Sequence, residues 1–149
     1  MNSNLDKGLF LLRLGVGTVF VMHGWQKLFV IGHAGLTGFF QSAGIPFPAI
    51  SAVLATTVEL AGGFALIAGL GTRIAGALLA FTMLVAVATV HLSNGFFLPN
   101  GYEFAFTLLL ATGALALTGA GGLSLDARLF AQPARRASSP SAAPIRTAA

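Results

Sequence analysis

Apolar and polar positions fall along the chain in long blocks. Four runs, at residues 8–30, 50–70, 74–92 and 104–121, are almost wholly apolar. A helix rises 1.5 Å per residue, so about 20 residues cross a hydrocarbon layer of about 30 Å. The pattern therefore predicts an all-α fold, a bundle of four transmembrane helices. Between the second and third runs lies only Gly69-Leu70-Gly71-Thr72-Arg73, a link short enough to force an antiparallel hairpin. The link at 32–49 is longer and carries Gly35, Gly38, Gly44, Pro46 and Pro48. Its middle, residues 36–41, predicts a short interfacial helix with Phe39 and Phe40 at headgroup level. The link at 93–101 holds the turn signals Asn94-Gly95 and Pro99-Asn100-Gly101. A four-helix domain over 1–130 is expected, followed by a disordered tail at 131–149, where Ala, Pro, Ser and Arg dominate.

Composition strengthens the membrane reading. Hydrophobic residues make up 56% of the 149 positions and charged residues only 8%. A water-facing domain carries about a quarter charged residues, so lipid must cover most of this surface. With no cysteine, disulfides, thiolate metal sites and a cysteine nucleophile are excluded. The net charge of +4 comes partly from Arg135, Arg136 and Arg146 in the tail, and no basic stripe with interleaved aromatics exists. The charge thus reflects membrane orientation, and no nucleic acid partner is expected. Lys7, Arg73, Arg128 and the tail arginines fall on one side, with Lys27 alone on the other. That bias predicts both termini in the cytoplasm and the two longer links outside, in a multi-pass protein of the cell (inner) membrane. The first run is interrupted by Arg13 and lacks an Ala-x-Ala site after it, so it reads as a span and not as a cleaved signal.

Ionisable residues inside the apolar runs carry the candidate chemistry, because an intramembrane charge costs at least about 2.5–3.5 kcal/mol. At 100° per residue Arg13, Phe20, His23 and Lys27 share an arc of about 80°, a polar stripe that should face the bundle. Counted from the cytoplasmic helix ends, Arg13 lies about 8 Å in and Glu59 about 16 Å in. A buried Arg13–Glu59 ion pair is predicted, either as a lock between two helices or as a proton or ligand site near the midplane. His23 and His91 reach similar heights, about 22 and 25 Å. With Lys27, Asn94 and Glu103 they form an outer cluster that either snorkels to water or binds a polar head group and exchanges protons with it. Two histidines at one depth also fit haem ligation, and His23, His91 and Glu103 are metal-ligand types. Nothing else marks either site, and no metal is expected. His33 reads as a surface residue of the outer link.

Several short motifs together resemble the DoxX family of small integral membrane proteins. They are Leu11-Leu12-Arg13-Leu14, His23-Gly24-Trp25-Gln26-Lys27-Leu28-Phe29, Glu59-Leu60-Ala61-Gly62-Gly63, Gly69-Leu70-Gly71-Thr72-Arg73, and His91 with Asn94-Gly95-Phe96-Phe97. Gly101-Tyr102-Glu103 and Gly121-Gly122-Leu123-Ser124-Leu125-Asp126 complete the order. The resemblance implies a four-helix membrane protein of a family linked to quinol oxidase and thiosulfate:quinone oxidoreductase subunits, with no agreed catalytic residues. The expected function is a redox-linked, quinone-associated membrane subunit working with a redox partner subunit or as a homodimer. The alternative is a non-enzymatic scaffold or small-molecule carrier.

Overall fold

A computed structural model describes residues 3–129, which are helix and connections with no strand among them. Helix α1 (Ser3–Trp25) runs on through a π-helical turn, Gln26–Ile31. Gly32, at φ 72°, then bends the chain into α2 (Gly32–Ser42). Helix α3 (Pro48–Ala68) opens with proline at its first turn, where the missing N–H has no intrahelical partner to lose. It ends at Gly69 in the left-handed region, whose N–H and that of Leu70 return to the carbonyls of Leu66 and Ala65. Helix α4 (Thr72–Ala86) passes through a second π-helical turn, Val87–His91, and a 3-10 turn, Leu92–Asn94. Helix α5 (Glu103–Thr118) and the short α6 (Leu125–Leu129) complete the chain. The expected tail at 131–149 lies outside the described residues.

Pro48–Ala68 and Thr72–Asn94 are both long and apolar enough to cross a membrane, with mean hydropathies of 1.8 and 2.1, and α5 is a shorter apolar helix. α1 begins five residues earlier than the apolar pattern suggested, at Ser3. Within the first link, α2 runs over Gly32–Ser42, against the 36–41 suggested by the pattern.

Small residues set the packing. A Cβ on Gly17 would come within 2.7 Å of the Gly63 carbonyl oxygen, and one on Gly63 within 2.8 Å of the Gly17 oxygen, so α1 and α3 touch backbone to backbone. Gly76 brings α4 equally close to Thr112 and Ala116 of α5, while Gly62 receives Leu79 of α4. Further along α1, Gly24 meets Leu60, earlier in α3 than Gly63, so these two helices run antiparallel. Val16, Phe20, Leu66, Leu79, Met83, Leu108 and Leu115 fill the centre. A smaller core of Leu36, Phe40, Ile45 and Ala52 fastens α2 to the start of α3. Outward stand Leu11, Phe29, Ile50, Leu54, Phe64, Ile74, Phe81 and Leu117, all exposed. An apolar exterior this continuous is the surface of a lipid-solvated bundle.

Candidate functional site

Where α1 and α3 draw together at Gly24, a Cβ would strike Leu60. One turn further on, Lys27 lies in the π-helical turn and forms an ion pair with Glu59 of α3. A π turn inserts an extra residue and rotates the faces that follow it, and such turns recur at functional sites. The Glu59 side chain is only 3% exposed and that of Lys27 19%, so the pair is shielded from solvent and its charges are neutralised together. His23 lies one turn below Lys27, on the same face of the helix, and is exposed. Its ring stands 6.2 Å from the ring of Phe104 on α5. Three helices thus converge on an imidazole, an ammonium and a carboxylate.

The predicted Arg13–Glu59 pair is corrected by this register. Arg13 lies level with Gly69, where a Cβ would overlap its guanidinium. Gly69 and Glu59 are ten residues apart, about 15 Å of helix rise, beyond the reach of an arginine side chain. The depth estimate failed because the first turns of α1 extend past the α3–α4 turn. Arg13 instead donates from Nη2 to the Leu123 carbonyl and lies over the Phe10 ring, 5.8 Å from its centroid. It sits at the C-terminal end of α3, where a cation meets the negative end of the helix dipole.

His91, Asn94 and Glu103 are held by their own link. His91 Nδ1 is 3.1 Å from the Asn100 carbonyl oxygen, Asn94 Nδ2 donates to the Val90 carbonyl at 3.1 Å, and Glu103 Oε1 accepts from the Leu98 N–H at 2.9 Å. Among the described residues no hydrogen bond or ion pair joins these three to Lys27 and Glu59. The outer cluster foreseen from depth alone therefore divides. His23 and Lys27 join Glu59, while the others shape the loop before α5. Among the described residues no three His, Asp or Glu side chains gather as a metal site.

The opposite end carries polar residues that depth and periodicity did not single out. Asp126 accepts from Gly71 N–H at 2.8 Å and Thr72 N–H at 3.2 Å, capping α4 from another segment, and its own N–H donates to Gly69 O. Asp6 accepts from Gly122 N–H at 2.6 Å. Ser124 Oγ accepts from the Ala127 N–H and so caps α6, the one part of this arrangement that a Ser before a helical run announces. Two clefts open here, one of about 310 Å³ beside Leu123 and Arg128 and one of about 530 Å³ beside Arg73 and Gly119.

These features define a small helical membrane protein with a shielded ion pair between two helices and an exposed histidine one turn away. The sequence profile of the DoxX family matches residues 8–92, and the chain belongs to that family. It is similar to the Bacillus subtilis (strain 168) protein named "Putative oxidoreductase CatD", with 39% identity over 87% of this chain and 92% of that one. It is also similar to "Inner membrane protein YphA" of Escherichia coli (strain K12), at 31% identity over 80% of this chain and 89% of the relative. An uncharacterized Haemophilus influenzae protein shares 32% identity over 86% of this chain and 98% of its own length. No solved structure matches the chain.

Proposed function

We propose that this chain is a redox-linked subunit of the inner membrane whose four long helices all span the bilayer, with α2 lying at the interface and both termini in the cytoplasm. It takes a quinone or a similar small aromatic molecule at the His23–Lys27–Glu59 site. The carrying observation is the Lys27–Glu59 pair with His23 beside it, in an otherwise apolar bundle. A quinone is apolar except at two carbonyl oxygens, and the ammonium and imidazole are donors suited to them. Reduction to the quinol adds two electrons and two protons, converting both carbonyls to hydroxyls. His23 and Lys27 would pass the protons. The electrons would come from a reduced redox centre on a partner subunit. The oxidoreductase name of the Bacillus subtilis relative supports the redox reading, and the inner-membrane name of the Escherichia coli relative supports the location.

The single tryptophan, Trp25, lies two residues from His23 and gives a direct readout. A short-chain quinone titrated into the purified full chain in detergent is expected to quench its fluorescence saturably. His23→Ala and Glu59→Gln should each weaken binding about tenfold, the factor for about 1.4 kcal/mol. Linear quenching, unchanged in both variants, would mean mere partitioning into the micelle and would sink the quinone reading.

A non-enzymatic scaffold is the second reading, favoured by the position of the two clefts at the end away from Lys27. On that reading both variants leave quinone-linked growth intact while partner proteins still co-purify.

A further inference from the structure

The strongest unexplained group in the molecule is Arg13. Its side chain is fully buried, with one hydrogen bond from Nη2, while Nε and Nη1 are buried without a partner. A guanidinium has five N–H donors, and a buried cation needs a counter-charge or hydrogen bonds to offset its lost hydration.

The chain cannot supply that counter-charge by a direct bond from its own acidic side chains. It contains four Asp and Glu residues in all. Glu59 is paired with Lys27, Glu103 accepts from Leu98, Asp6 accepts from Gly122, and Asp126 uses both oxygens on Gly71 and Thr72. Asp126 forms no hydrogen bond with Arg13, whose one bond goes to the Leu123 carbonyl.

Beside Arg13 lies the cleft of about 310 Å³. Two of its walls, Phe10 and Leu123, are the residues Arg13 touches, and Arg128 stands exposed at its edge. The other walls include Ile67 and Leu125. A cleft with apolar sides, an exposed cation at the edge and an under-bonded cation behind its wall matches an anion carried on an apolar body.

We propose that this cleft binds a phosphate-bearing anion, held between Arg13 and Arg128. Tetrahedral phosphate oxygens accept the parallel N–H bonds that a guanidinium offers. Inorganic phosphate and an anionic lipid headgroup share this chemistry, and basic pockets between membrane helices are a known setting for lipid phosphates. The apolar walls would add affinity for the lipid.

The test is calorimetric titration of the full chain in a phosphate-free, uncharged detergent. The probes are inorganic phosphate, short-chain phosphatidylglycerol, and diacylglycerol of the same chain length. Saturable binding of phosphatidylglycerol, weakened at least tenfold by Arg128→Gln or by Arg13→Lys, supports the proposal with lipid as the source. The same loss seen with inorganic phosphate alone supports it with the free ion as the source. Arg13→Lys keeps the charge but loses the planar fork, so a site of this kind should not tolerate it. Should Arg13→Lys not fold, Arg128→Gln decides the matter, because its side chain is exposed. The proposal is overturned if neither anion binds, if diacylglycerol binds as well as phosphatidylglycerol, or if every folded variant binds within twofold of the parent.

Discussion

Breaking the Lys27–Glu59 pair gives the most direct test of the register of α1 against α3. Lys27→Met keeps the stem but strands a carboxylate whose side chain is 3% exposed. Removing one partner of a dry ion pair costs about 3–5 kcal/mol. Lys27 is 19% exposed, so the pair is partly screened, and a loss of about 2–3 kcal/mol is expected. Glu59→Gln should cost less, about 1–2 kcal/mol, because a freed ammonium on a flexible stem can swing toward water. The double variant should then fall short of the sum by about 1–2 kcal/mol, the signature of direct contact. Reversible unfolding in mixed micelles, with increasing sodium dodecyl sulfate and followed by far-ultraviolet circular dichroism, measures all four corners of the cycle. A second cycle, Arg13→Met with Glu59→Gln, should be additive within about 0.5 kcal/mol. Additivity in the first cycle together with coupling in the second would refute the register and restore the pairing inferred from depth.

The same unfolding assay reads substitutions at five further positions. Gly63→Ala drives a Cβ to 2.8 Å from the Gly17 oxygen and 2.9 Å from Val21 N, and should cost about 1–3 kcal/mol. Gly113→Ala, which meets nothing within 4 Å, should be neutral or stabilise by up to about 1 kcal/mol. Gly71→Ala adds only the cost of a left-handed residue, about 1–2 kcal/mol, because its surroundings are open. Gly69→Ala has a similar φ and also overlaps Arg13, so it should be clearly the worse of the two. Asp126→Ala removes two acceptors from the start of α4 and should cost about 1–2 kcal/mol, with Asp126→Asn recovering part of it.

Hydropathy made the helical segments legible because each is a long apolar run, and Gly69 to Arg73 left room for nothing but a tight turn. Helical periodicity also placed His23 and Lys27 on one face of the first helix; Lys27 turns to Glu59 there, while His23 is exposed. Relative height between helices was not legible. Depth counted from a helix end assumes that all ends lie at one level, and α1 violates this by starting at Ser3. The glycines that fix the true register, Gly17 and Gly63, are visible in the sequence. Their pairing is a property of two helix faces and cannot be read from either alone. Asp6 and Asp126 escaped for a different reason. Both bond to backbone N–H groups of distant segments, and such acceptors leave no spacing signature in the chain.

The two ends of the bundle now pose opposite electrostatic problems. Lys27 is neutralised by Glu59, so a ligand arriving there meets no net charge from the pair and need bring none. Arg13 has no bonded counter-charge among the acidic side chains, so a ligand at the proposed site would be an anion. On the readings proposed above, a neutral aromatic belongs beside His23 and a phosphate beside Arg128. Salt separates them. Anion binding at the exposed edge of the cleft should weaken as ionic strength rises from 0.01 to 0.15 M, since the screening length falls from about 30 to about 8 Å. Quinone quenching of Trp25 should be unchanged over the same range. If both titrations respond to salt alike, the division of labour between the two ends is wrong, even if each ligand binds.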